Sequence, residues 1–162
     1  MKLQSDFSQE AWFKFLTKEQ QILVDVSFQL LEDAPNHQQF LDYSYIVFPM
    51  AKAYEGFLKK VLFNQELISE IVYMGKKFRI GRSLNPDVHF DQRDQYWLYD
   101  DLAQICGEAL ARQIWDTWLQ CRNQVFHYFV KDPRLLTLDQ ASMSLGMMRD
   151  TMQQTIGAIT NY

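Results

Sequence analysis

Apolar residues recur at three- and four-residue spacing along most of the chain, the period of amphipathic helices, while the two-residue alternation of strands is scarce. Phe7, Ala11, Trp12 and Phe15 predict a short first helix over 7–16. Thr17 and Gln20 form a candidate capping box, each satisfying a free N–H of the first turn. The helix behind it puts Ile22, Leu23, Val26 and Leu30 on one face, and Pro35-Asn36 ends it. A third helix is expected from Phe40–Tyr43 to about Phe63, with Met50, Tyr54, Phe57, Leu58 and Val61 as its apolar stripe. Pro49 lies inside that run and has no N–H to donate. Either the helix begins near Phe48, with Pro49 in its first turn, or it kinks there.

From about Val72 to Asp94 the period is lost. This stretch is polar, holds Gly75, Gly81 and Pro86, and reads as a long inserted loop with room for a short hairpin. Helical spacing returns over Trp97–Ile105 and again from about Gly107 to Phe129, where Asp132-Pro133 breaks it. Thr137 and Gln140 offer a second capping box. The last helix is expected to bury Leu138, Ala141, Leu145, Met148, Met152, Ile156 and Ile159. The pattern predicts an all-α bundle of four to six helices, one domain over residues 1–162, with a polar insertion around 72–94.

Composition agrees with one packed core: 162 residues, 48% hydrophobic and 15% aromatic. The formal net charge of -4 excludes nucleic-acid binding by bulk charge but allows a local basic patch. Cys106 and Cys121 lack zinc-ligand spacing, and no His–Cys cluster accompanies them, so neither a metal nor another cofactor is expected. The stretch Met1–Asp6 has no apolar core of a signal peptide, and no apolar run approaches a membrane span. The expected location is the cytoplasm.

The penultimate helix carries the chemistry. At about 100° per residue, Asp116, Gln120, Asn123 and His127 share a polar face, with Ile114, Trp118, Cys121, Val125 and Phe129 on the core side. Arg122 falls on the apolar flank between Trp118 and Phe126. An unpaired buried guanidinium costs several kcal/mol. Arg122 must therefore reach a carboxylate, extend to water or face a subunit boundary. As an ordinary helix it would show a snorkelling arginine and a C-terminal histidine favoured by the dipole.

The segment Arg122-Asn123-Gln124-Val125-Phe126-His127 resembles the Arg-x4-6-His signature of the HEPN superfamily, in which a polar residue often follows the arginine. The run Pro49-Met50-Ala51-Lys52-Ala53-Tyr54-Glu55-Gly56-Phe57-Leu58-Lys59 looks most like the HEPN part of RNase LS-type toxins. The resemblance spans about residues 40 to 160.

That resemblance implies a metal-independent endoribonuclease, the toxin of a toxin–antitoxin pair or a related defence system. RNA would be cut by attack of the ribose 2′-OH on the adjacent phosphate. His127 would move the proton. Arg122 would hold the scissile phosphate, and Asn123 would orient the imidazole or bind phosphate. Such enzymes pair these helices across a two-fold axis, so a homodimer and a cognate antitoxin protein are implied partners. Some members carry His-x-Tyr, whose tyrosine is modified by the antitoxin. Here Phe129 stands at that position and Tyr128 beside it, which fits an ordinary amphipathic residue as well.

Glu55 and Asp116 are supporting candidates. Glu55 is placed to pair with Arg122 or His127, or in a surface pair with Lys59. Lys76, Lys77, Arg79 and Arg82 make the insertion basic, either as an RNA-backbone contact with Phe78 stacking on a base or as a solvated loop. His37 and His89 read as surface residues, and Trp115 and Trp118 as core. The alternative to an enzyme is a non-catalytic module binding RNA, nucleotide or a partner protein through the same helix. A plain helical interaction protein is the third reading.

Overall fold

The computed structural model describes residues 7–37 and 40–159. The leader reading of Met1–Asp6 lies outside the described residues, as does the side chain of His37. Among the described residues the protein is an all-α bundle. Its elements are α1 (Ala11–Phe15), α2 (Lys18–Asp33), α3 (Ser44–Asn64), α4 (Glu70–Met74), α5 (Ile80–Ser83), α6 (Tyr99–Cys106), α7 (Glu108–Trp118), α8 (Gln124–Phe126) and α9 (Leu138–Ile159). A π-helical turn over Leu119–Asn123 joins α7 to α8.

The starts of α2 and α9 are set by their capping boxes. Thr17 Oγ1 accepts from the Gln20 N–H at 3.3 Å, and Gln20 Oε1 accepts from the Thr17 N–H at 3.1 Å. Thr137 and Gln140 repeat the arrangement at 3.2 and 2.9 Å. Between α6 and α7 stands Gly107 with φ 87, a left-handed conformation that suits a residue without Cβ.

Helix α3 is the central element, packed against α2 and α9, while α7 packs on α6 and α9. Met50, Tyr54, Phe57, Leu58 and Val61 are all buried. The helix starts at Ser44 and continues through Pro49, so a start near Phe48 is excluded. One residue beyond Pro49, the Met50 N–H donates to Ser27 Oγ of α2 at 2.8 Å inside the core. Deeper along α3, Tyr54 Oη donates to the Ile114 carbonyl of α7 at 3.0 Å. Burial pushes the Tyr54 phenol well above its ordinary value, so it stays a neutral donor.

Two expectations need correction. The buried face of α2 is Val24, Ser27, Phe28 and Leu31, and Ile22 is 59% exposed. The chain has apolar residues on both sides of this helix, and the stripe with the aromatic residue faces α3. The insertion carries helical turns rather than a hairpin: α4, α5 and a 3-10 turn at Phe90–Gln92. The bridge Phe129–Asp132 is the sole isolated β pairing among the described residues.

On α9, Ala141, Leu145, Met148, Met152, Ile156 and Ile159 are buried as the spacing predicts, and Leu138 is half-buried. A small polar seam joins α9 to α7. Thr117 Oγ1 and Thr151 Oγ1 lie 2.9 Å apart, and Gln113 Nε2 donates to Thr151 Oγ1 at 3.2 Å. These bonds fix the register of α7, and with it the π turn that follows.

Candidate functional site

Arg122 and Asn123 lie within the π turn, and His127 lies beyond the helix. A π turn bonds i to i+5 and admits one extra residue, which rotates everything downstream by about 100°. The polar face expected for Asp116, Gln120, Asn123 and His127 is therefore not continuous. His127 has left helical geometry, with φ -108 and ψ 134, and is exposed. Phe129, expected on the core side, is 43% exposed, whereas Ile114, Trp118 and Cys121 are buried.

Arg122 has reached a carboxylate. Its Nε donates to Glu55 Oε2 of α3 at 3.1 Å, with the two side chains 32% and 29% exposed. Glu55 thus pairs across the bundle, and the surface pairing with Lys59 is not the one formed. The guanidinium carbon stands 5.5 Å from the Trp118 ring centroid, so the stem is held on an aromatic face. Bonding through Nε leaves both terminal NH2 groups without a further hydrogen bond among the described residues. They are free to take a phosphate while Glu55 keeps the fork in place.

Around His127 the surface is apolar. Phe126 meets Phe48 of α3 edge-on, with ring centroids 5.3 Å apart, and the His127 ring lies 6.4 Å from that of Phe129. Phe48 is 55% exposed, Tyr128 78% and Val130 86%. The segment after His127 is tied back to the start of α3. Asp42 Oδ1 accepts from the Leu136 N–H at 2.9 Å, and the Tyr43 N–H donates to the Leu136 carbonyl at 2.9 Å.

Asn123 is half-buried one residue from Arg122, and Tyr128 points away into solvent. Asp116 lies on α7, and its charge is one of the lesser influences on Tyr99, whose hydroxyl donates to Glu108 Oε1 at 2.8 Å. Burial first, and then that hydrogen bond to Glu108, push the Tyr99 phenol up to about 12. Burial likewise raises the thiols of Cys106 and Cys121 to about 11, so neither is a nucleophile at neutral pH. Among the described residues no three of His, Cys, Asp and Glu come together in a way that would hold a metal ion.

Lys76, Lys77, Arg79 and Arg82 are all exposed around a cavity of about 580 Å³. Arg82 Nη2 pairs with Asp94 Oδ2 at 2.8 Å, and Arg79 Nη1 donates to the Lys76 carbonyl at 2.9 Å. Phe78 is turned inward and only 8% exposed, so the expected stacking of a base on this ring is corrected. His89 is exposed, with Nδ1 3.4 Å from Asp91 Oδ2. Trp115 and Trp118 are buried and stacked 5.3 Å apart, as core residues.

The contact that sequence reading missed is Gly81 on Trp118. A Cβ at Gly81 would stand 2.2 Å from Trp118 Cη2, so the backbone of α5 lies directly on the indole. Trp118 therefore carries the basic insertion on its edge and Arg122 on its face. A glycine amid the basic run was the available signal, and only the fold reveals its partner.

Among the described residues no helix is long and apolar enough to cross a membrane. Compared with known proteins, the chain matches no family model, no curated protein and no solved structure.

Proposed function

We propose that the protein is a metal-independent endoribonuclease of the HEPN type, the toxin of a toxin–antitoxin or defence system, acting as a homodimer in the cytoplasm. The observation that carries this reading is the Arg122–Glu55 pair, followed five residues later in the sequence by an exposed His127. Arg122 binds the scissile phosphate through its terminal NH2 groups. His127 takes the proton from the ribose 2′-OH, which attacks phosphorus and expels the 5′-oxygen of the next nucleotide. The products are a 2′,3′-cyclic phosphate and a 5′-hydroxyl. Charge gathering on the phosphate is balanced by the guanidinium.

Among the described residues His127 has no acid–base partner; a second copy across a two-fold axis would provide one, its His127 giving the departing 5′-oxygen its proton. The exposed Phe48, Tyr128, Phe129 and Val130 around it support such an interface. The same observation favours a second reading, a non-catalytic module whose apolar surface binds a partner while Arg122 anchors RNA or nucleotide. Incubation of the purified chain with RNA in EDTA separates the two. Cleavage to cyclic phosphate ends supports the enzyme; tight RNA binding without cleavage supports the module.

A further inference from the structure

The geometry points to the cavity beside α5 as a binding pocket for a single nucleoside phosphate, with the phosphate on the basic rim and the base inside. The cavity of about 580 Å³ lies within the range of small-ligand pockets, roughly 300–1,000 Å³. Its walls are apolar and aromatic: Ile71, Val72, Phe78 and Tyr96. Tyr96 meets Phe78 edge-on, with centroids 6.4 Å apart, and is 43% exposed, so the Tyr96 ring is the stacking surface the cavity offers.

Ser83 also lines the cavity. It is 1% exposed, and its Oγ has no hydrogen-bond partner. A buried hydroxyl without a partner costs free energy that a ligand recovers by bonding to it. The polar edge of a base supplies that bond. At the mouth, Lys76 and Lys77 have no ion-pair partner among the described residues. Arg82 spends one terminal nitrogen on Asp94, the one acidic residue of the lining. Uncompensated cations, in a chain of net charge -4, are concentrated where a phosphate would sit.

An apolar anion without a base would satisfy the walls and the rim but leave Ser83 unpartnered. Inorganic phosphate would satisfy the rim alone. A nucleoside phosphate satisfies all three. The ligand's source is either a unit of an RNA strand or a free mononucleotide. The first choice rests on the ribonuclease reading, in which Trp118 joins this pocket to Arg122.

The test is calorimetric titration of the full chain with adenosine 5′-monophosphate, inorganic phosphate, dodecanoate and octaadenylate. His127→Ala protein is used for the oligonucleotide, so that it is not cut. Saturable binding of the mononucleotide is expected, at least about tenfold tighter than phosphate or dodecanoate. The double variant Lys76→Ala/Lys77→Ala should weaken it about tenfold, and Ser83→Ala several-fold, while Lys76→Arg/Lys77→Arg retains it. Octaadenylate binding more tightly than the mononucleotide assigns the pocket to an RNA strand, and the reverse order assigns it to a free nucleotide. The proposal is overturned if neither nucleotide saturates the protein at millimolar concentration, if phosphate or dodecanoate binds as tightly, or if the alanine variants leave affinity unchanged. Binding by a chain that cuts no RNA leaves the pocket standing and removes the ribonuclease reading. Cleavage without nucleotide binding removes the pocket alone.

Discussion

Glu55 Oε2 and Arg122 Nε stand 3.1 Å apart across the interface of α3 with the π turn, 67 residues apart in sequence. Each side chain is about one-third exposed, so the pair is partly screened. Removing one partner leaves the other charge half-buried and uncompensated. Glu55→Ala should lower stability by about 1–2 kcal/mol, read as a urea midpoint. Double Glu55→Ala/Arg122→Ala protein should lose less than the sum of the two single changes. Strict additivity would show that the pair is not coupled.

Gly81→Ala tests the seat of the basic insertion. The added methyl would stand 2.2 Å from Trp118 Cη2, inside any allowed contact, so α5 or the indole must shift. Overpacking of this kind costs about 1–3 kcal/mol. Urea unfolding followed by tryptophan fluorescence should show that loss. A midpoint equal to that of the unmodified chain would mean that α5 does not rest on Trp118.

Asp42 clamps the strap that follows His127 onto the start of α3. Partial burial pushes its carboxyl up, but hydrogen bonds from Ser44 Oγ and from the Leu136 and Ser44 N–H groups outweigh this and hold it below its ordinary value. A depressed carboxylate contributes stability fully present above its unfolded value, about 3.9, and lost as pH falls through the lower folded one. Asp42→Ala should therefore cost about 1–3 kcal/mol at pH 7 and markedly less near pH 2. An equal cost at both pH values would contradict the clamp.

The stripes of α3 and α9 are legible in the sequence because one apolar row runs unbroken through each. On α2 two apolar rows compete, Ile22, Val26 and Leu30 against Val24, Phe28 and Leu31, and only packing against α3 decides between them. The two capping boxes are local and equally legible. The π turn is not, since Leu119–Asn123 has no propensity that marks one extra residue, and the wheel drawn through it carried His127 onto a face it does not occupy. Arg122 was legible as a residue in need of a partner. That Glu55 meets it depends on how α3 and α7 are packed, which no local pattern encodes.

The apolar surface around His127 predicts self-association. Val130 is 86% exposed and makes no structural demand on its own fold. Val130→Glu should leave the urea midpoint of the isolated chain within about 0.5 kcal/mol. It should weaken dimerisation about tenfold or more in sedimentation equilibrium, as expected where a charge enters an interface core. Sedimentation as a monomer at all concentrations by the unmodified chain would contradict the dimer.

The most direct test of the ribonuclease reading is the single-turnover rate of RNA cleavage in EDTA by unmodified and His127→Ala protein, matched for folding by circular dichroism. The account predicts cyclic phosphate products from the first and a rate roughly 10²–10⁴-fold lower from the second. Undiminished cleavage by His127→Ala protein would contradict it.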